Sequence, residues 1–91
     1  MTAHIKRMVI DCLKPRETTI LDLSKALCGV EGVDEVDITV TEVDVRTETI
    51  KLTIRGTDVI YEDLTKVMNE HGAIVRSVDE ISVIRVKETI N

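Results

Sequence analysis

The segment IKRMVIDCL, residues 5–13, is apolar on both faces of the β-strand that it predicts. Side chains of a strand point alternately to opposite faces. Both alternating sets are apolar here, with Ile5, Val9 and Leu13 in one and Met8, Ile10 and Cys12 in the other. Lys14-Pro15 ends the strand, because proline has no N–H to offer a neighbouring strand. The segment therefore predicts a central strand that other elements cover on both sides.

Apolar residues at helical spacing predict two helices. The first helix follows Pro15, with Thr18 or Thr19 as its N-cap. Its buried stripe is formed by Ile20, Leu23, Leu27 and Val30. The second helix covers about residues 60–71 and ends at Gly72, which suits a left-handed terminal residue. Its buried stripe is formed by Tyr61, Leu64, Met68 and His71.

Three further strands are predicted over residues 33–45, 48–55 and 73–87, and the last has an irregularity near Asp79-Glu80. The order is then βαββαβ, the ferredoxin-like arrangement of the α+β class. Right-handed crossovers give the spatial strand order 4-1-3-2, with antiparallel neighbours and both helices on one face. The whole chain, residues 1–91, is expected to form this single domain.

The segment VTEVDVRTETIK, residues 40–51, carries carboxylates where the alternation of the strand predicts buried side chains. A three-residue turn, Val45-Arg46-Thr47, keeps each face of the hairpin consistent and is the predicted register. It pairs Asp44 with Glu48, Glu42 with Ile50, Val40 with Leu52 and Ile38 with Ile54. Like charges that face each other across two strands are destabilising, so the Asp44–Glu48 pair calls for an explanation.

Two interpretations of these carboxylates stay open. The predicted topology brings the hairpin tip near the end of the first strand, so Asp11, Lys14 and Arg76 approach it. Hard cations favour clustered carboxylates. The candidate site for calcium or another divalent cation is then formed by Glu42, Asp44, Glu48 and Asp11. The other interpretation is a charged tip that contacts water or a neighbouring subunit, since no D-x-[DN]-x-[DN]-G loop is present.

The size and composition of the chain predict self-association. Only a modest core fits in 91 residues, and Tyr61 is the sole aromatic residue. If both helices cover one face of the sheet, the apolar residues on the other face of the first and last strands need another cover. A second copy of the chain supplies such a cover, so a homo-oligomer is expected.

Composition and missing motifs count against several classes of function. The 17 acidic against 12 basic residues disfavour a nucleic-acid partner. Lys6, Arg7 and Asp11 interrupt the first apolar run, so we expect neither a signal peptide nor a membrane span, and a cytoplasmic location. No catalytic motif is recognisable, so the protein is not expected to be an enzyme or to carry another cofactor. Cys12 and Cys28 lack C-x-x-C spacing and are interpreted as small buried hydrophobic residues.

Three segments resemble an archaeal family known as domain of unknown function 211: MVIDCLKPR at 8–16, VDITVTEVDVRTETIKLTIRG at 36–56 and GAIVRSVDEISV at 72–83. The most specific part is E-V-D-V-x-T-E, residues 42–48. The resemblance implies an archaeal cytosolic protein with a ferredoxin-like fold, assembled into closed rings, whose biochemical function is unassigned. The family pattern often has histidine where this chain has Arg16 and Arg76, so a site that uses those imidazoles is not expected here.

Two functions from different classes follow as hypotheses. One is an assembly module with a structural or regulatory role, whose acidic hairpin binds a divalent cation. The alternative is a regulatory domain of the ACT-like kind, which senses a small metabolite of unknown identity between paired domains. The loop KPRETT, residues 14–19, has no glycine, which counts against the alternative.

Overall fold

Residues 2–87 are described by a computed structural model. The elements are β1 Thr2–Pro15, α1 Ile20–Cys28, β2 Val33–Val43, β3 Thr47–Gly56, α2 Tyr61–Glu70 and β4 Ile74–Val86. The strands form one antiparallel sheet in the order β2-β3-β1-β4. This is the predicted order 4-1-3-2, so the ferredoxin-like α+β fold is confirmed. The strand β1 begins at Thr2, three residues earlier than predicted.

The residues at the ends of α1 and α2 explain where each helix begins and ends. Thr19 is the N-cap of α1, and its hydroxyl accepts a hydrogen bond of 3.1 Å from the backbone N–H of Asp22. Ile60 cannot cap α2 in this way, and Glu62 and Asp63 in the first turn instead suit the positive end of the helix dipole. Gly72 follows α2 with φ +75°, the predicted left-handed conformation.

The core is aliphatic and lies between the helices and one face of the sheet. Its fully buried members include Leu23 and Leu27 from α1, Leu64 and Met68 from α2, and Ile10, Cys12, Ile50, Leu52 and Ile54 from the sheet. Burial of each large aliphatic side chain contributes about 1.5–3 kcal/mol relative to exposure. These contacts hold α1 and α2 on the same face.

The predicted register of the β2–β3 hairpin is wrong. The observed partners are Ile38 with Leu52 and Val40 with Ile50, two residues away from the prediction. A bulge between Val40 and Glu42 then places Val43, not Asp44, opposite Glu48. A shift of two residues leaves every side chain on its face, so alternation alone cannot distinguish the two registers. The bulge adds an unpaired residue that alternation also cannot reveal.

The irregularity predicted in β4 is confirmed, and a second one is present. Between the pairs Val9–Glu80 and Ile10–Val78, β4 has one extra residue, Asp79. Another shift, between Asp11 and Cys12, leaves Arg76 as an extra residue. Both bulges lie in the first half of β4, where the strand runs along the end of β1.

The face of the sheet opposite the helices is less apolar than expected. Val9 lies on that face, between Met8 and Ile10 of the core, yet it is only 1% exposed within a single chain. Arg7 and Glu80 flank it and form an ion pair of 3.1 Å. The centre of this face therefore needs no further cover.

Replacement of Gly56 by alanine should lower the free energy of unfolding by at least about 2 kcal/mol, because the new Cβ would lie 1.8 Å from the carbonyl oxygen of Gly32. Gly29→Ala is the matched control. Its Cβ would meet nothing closer than 3.4 Å, so the change should stay within about 1 kcal/mol. Urea unfolding of both variants checks this, and equal losses would contradict the observed packing.

The two cysteines should differ sharply in reactivity. Cys12 is buried, as predicted, whereas Cys28 is exposed, so the prediction of burial was wrong for Cys28. Burial, with a smaller contribution from the Asp11 carboxylate, raises the pKa of the Cys12 thiol to about 12. The thiolate is the reactive form. At pH 8, iodoacetamide should therefore label one thiol in the native protein, none in Cys28→Ser, and the second thiol only in denaturant.

The raised pKa of the Cys12 thiol also determines how its contribution to stability changes at alkaline pH. Below pH 9 the Cys12 thiol is protonated in both the folded and the unfolded chain. Above that value the unfolded chain loses the proton first, so the contribution of Cys12 falls as pH rises from 9.0 to about 12. Rapid native labelling of Cys12 at pH 8 would contradict this assignment.

Candidate functional site

Among residues 2–87, Lys14 is the one charged side chain that is buried, at 1% exposed. It has the same parity on β1 as Ile10 and Cys12, so its side chain lies on the helix side of the sheet. Glu48 is its direct partner on β3, and the two side chains form an ion pair. A buried charge is costly unless it is paired, so this contact decides what Glu48 can do.

The Lys14 ammonium has an acceptor for each of its three donors. Besides Glu48, it donates to the carbonyl oxygens of Pro15 at 3.1 Å and Thr18 at 2.6 Å. The Thr18 hydroxyl donates in turn to the carbonyl oxygen of His71 at 2.9 Å. The end of β1, the start of β3, the loop before α1 and the end of α2 thus meet at one corner, which we call the Lys14 corner.

The four carboxylates predicted to bind a cation lie in different surroundings. Glu48 is on the helix side with Lys14. Glu42 is opposite Thr49, and because of the bulge it lies on the other face of the sheet. Asp44 is in the turn, where its side chain accepts a hydrogen bond of 2.8 Å from the backbone N–H of Val45. Asp11 is 3.5 Å from the guanidinium of Arg76.

A single chain therefore does not gather these carboxylates. Within residues 2–87 no group of three or more His, Cys, Asp or Glu side chains is arranged to hold a metal ion. The predicted facing of Asp44 and Glu48 is wrong, since Val43 takes that place. The repulsion that called for an explanation is absent, and Glu48 has a cationic partner instead.

The basic residues expected near the tip do approach it. Lys14 reaches Glu48, and Arg76 reaches both Asp11 and the Thr49 hydroxyl, the latter at 3.4 Å. The backbone N–H of Arg16 donates to the carbonyl oxygen of Arg46 at 3.0 Å. The burial of Lys14 was not predicted from the sequence, although the alternation of β1 places Lys14 on the same face as Ile10 and Cys12.

The side chains of His71 and Ser77 are engaged in structural contacts. The His71 ring nitrogen Nδ1 lies 2.8 Å from the carbonyl oxygen of Val67, at the end of α2. The Ser77 hydroxyl donates to Asp79 at 2.7 Å. Residues 2–87 enclose no pocket. In that part of the chain, no helix has both the length and the apolar character needed to cross a membrane.

The fold and the site together define the class of the protein. It is a small ferredoxin-like α+β domain with a buried lysine–glutamate ion pair at the Lys14 corner. Residues 6–90 match the family described as DUF211, uncharacterized ArCR, and the chain belongs to that family. It is also similar to the uncharacterized protein MJ0319 of Methanocaldococcus jannaschii. The two are 36% identical over 77 residues, which cover 85% of this chain and 79% of the relative. The resemblance stated from the sequence is thereby confirmed.

Loss of the Glu48 charge should destabilise the protein. Glu48→Gln leaves the buried Lys14 ammonium without its counter-ion, which we expect to cost about 1–3 kcal/mol. The figure is below that for a fully buried pair because Glu48 is 20% exposed. Asp37→Asn is the control, because Asp37 pairs with Arg55 at 2.6 Å on the surface, with side chains 58% and 44% exposed. It should change stability by less than about 0.5 kcal/mol in urea unfolding. Equal losses in the two variants would contradict the role of the corner.

Proposed function

We propose that this protein is a self-associating module with a structural or regulatory role, and that it is not an enzyme. The observation that carries the proposal is the concentration of exposed aliphatic side chains on one strand. On β4, the exposed members are Ile74 at 62%, Val78 at 43%, Ile81 at 54%, Val83 at 52% and Ile84 at 39%. These side chains are divided between the two faces of the sheet. Exposed apolar surface in this amount marks interaction sites on small proteins.

The shape of the chain supports the same proposal. The radius of gyration is 14.2 Å, against about 12 Å for a compact chain of this length. The segment Thr2–His4 pairs with β4 only, beyond the last partner of β3. A two-stranded ribbon is at best marginally stable in water, so cover from a second copy would stabilise it.

A divalent cation at a contact between copies is the second part of the proposal, with calcium as the ion to test. Glu42 and Asp44 are exposed, whereas Glu48 is engaged by Lys14 and Asp11 by Arg76. Calcium takes about six to eight oxygen ligands, more than one hairpin tip offers. Carboxylates from two copies would therefore share the ion.

The non-catalytic part of the proposal rests on the state of three side chains, those of His71, Ser77 and Cys12. His71 and Ser77 lie in hydrogen bonds that serve the end of α2 and the β4 bulge. The raised pKa of the Cys12 thiol keeps it protonated at neutral pH. None of these three side chains is prepared to attack a substrate.

Native mass spectrometry of protein purified without chelator, repeated after dialysis against one, tests both parts. We expect an oligomer that carries a divalent metal, which dialysis removes and calcium restores. A monomer at all concentrations would refute self-association. A metal-free oligomer whose mass does not change when calcium is added would refute the cation part and direct the search to metabolites.

A matched pair of variants locates the cation. Glu42→Gln/Asp44→Asn should abolish the mass increase with calcium and the accompanying rise in Tm, since ligand binding to the folded state stabilises it. Glu31→Gln/Asp34→Asn removes the same charge from other exposed residues and should retain the response. Retention of the response by the first variant would exclude the hairpin tip.

A further inference from the structure

Within residues 2–87, the outer strands β2 and β4 each have one edge without a strand partner. The charges of β2 are acidic only, at Asp34, Glu35, Asp37 and Glu42. A second β2 beside this edge would bring like charges together, which is destabilising. A pair of two β4 strands would leave the β2 edge open in both copies. Contact between β4 of one copy and β2 of the next covers one edge of each kind.

Both edges carry a row of aliphatic side chains on the helix side of the sheet. On β4, Ile81 is opposite Met8 of the core and is 54% exposed. Val83 is opposite Ile5, which packs against the core, and is 52% exposed. The row on β2 is partly buried and consists of Val36, Ile38 and Val40. Contact between the two rows would bury further apolar surface on each, which stabilises association.

Regular stretches of both strands are available for this contact. In β2, residues 35–40 pair with β3 without a bulge. In β4, residues 80–86 have no extra residue, whereas bulges at Arg76 and Asp79 interrupt the strand before them. Residues that face each other in a strand pair lie on the same face of the sheet, so the two aliphatic rows meet. The registers that satisfy this condition differ by steps of two residues.

We infer that β4 of one copy pairs in antiparallel orientation with β2 of the next copy, with Ile81 opposite Ile38. The inference rests on the proposed self-association and specifies the two surfaces that meet. The regular part of this register consists of the pairs Ile84–Glu35, Val83–Val36, Ser82–Asp37, Ile81–Ile38 and Glu80–Thr39. Beyond it, Arg85 lies beside the acidic start of β2.

The two neighbouring registers are less complementary. With Ile81 opposite Val40, three charges face aliphatic side chains, in the pairs Arg85–Val36, Ile84–Asp37 and Val86–Glu35. With Ile81 opposite Val36, Glu80 faces Asp37, and like charges that face each other are destabilising. The inferred register sets one charge against an aliphatic side chain, in the pair Ile84–Glu35, and no like charges against each other.

The inferred contact joins two different surfaces of each copy. Copies therefore add head to tail, and they form a closed ring when the rotation between neighbours closes. Because the paired strands run in opposite directions, the hairpin tip of one copy lies beside the start of β4 of the next. Glu42 and Asp44 of one copy thus approach Asp79 of the next. An ion shared between two copies requires carboxylates placed in this way.

Two variants that each block one edge test the pairing of unlike edges. Thr39→Glu sets a carboxylate opposite Glu80 and blocks β2, and Ser82→Asp sets one opposite Asp37 and blocks β4. Each variant alone should show a dissociation constant at least about tenfold higher than the wild type in sedimentation equilibrium. An equimolar mixture should form a heterodimer that grows no further, because each variant retains one intact edge. Wild-type assembly of either variant, or a mixture that dissociates as readily as its components, would overturn the inference.

A disulfide tests the register independently of charge. Antiparallel partners have Cα atoms about 4.5–5.5 Å apart, within the range for a disulfide. In a Cys28→Ser background, mild oxidation of Asp37→Cys/Ser82→Cys should therefore link successive copies covalently. Within one chain the two positions lie on opposite edges of the four-stranded sheet, about 14 Å apart, which is too far for a disulfide.

Asp37→Cys/Ile84→Cys is the matched control, because these two positions face each other only in a shifted register. It should link much less than Asp37→Cys/Ser82→Cys. An oligomer in which Asp37→Cys/Ser82→Cys gives no link, or in which the control links equally, would overturn the inference and leave self-association standing. A monomeric wild-type protein would overturn both.

Discussion

The ion pair between Lys14 and Glu48 is the constraint on which the rest of the arrangement depends. A buried ammonium needs all of its acceptors, and here they come from β3 and from the loop before α1. The corner therefore ties the end of the central strand to the hairpin and to the first helix. Thr18 extends the connection to the end of α2.

The Lys14 corner also determines which groups the carboxylates of the β2–β3 hairpin contact. Glu48 forms the ion pair with the buried Lys14. The bulge places Glu42 on the other face of the sheet, and the Asp44 side chain accepts a hydrogen bond within the turn. Three carboxylates that are close in sequence thus lie in three different environments. Within residues 2–87 the hairpin tip therefore holds no cluster of three or more carboxylates arranged for a metal ion.

Exposed apolar surface is distributed unevenly around the sheet. Val9 is covered at the centre of the face that lacks helices, whereas Ile81 and Val83 remain open at the β4 edge. The β2 edge is acidic and the β4 edge has both signs of charge. Within residues 2–87, exposed aliphatic side chains and backbone groups without a strand partner therefore lie along the same edge.

Much of the fold followed from the sequence by itself. The two-sided apolar pattern around Met8 and Ile10 determined a central strand, helical spacing determined both helices, and the order of elements determined the sheet. These signals are local or depend only on chain order. The match of the acidic hairpin to its family was also readable directly, since it depends on residue identity alone.

Only the tertiary structure decided the register of the hairpin and the partners of its charges. A two-residue slip preserves parity, so Ile38 and Val40 fit either register on sequence evidence. The bulge near Thr41 depends on how β2 meets β3, and the burial of Lys14 depends on a loop and a strand distant in sequence. Side-chain alternation says which face a residue takes, whereas three-dimensional packing decides which charge it meets there.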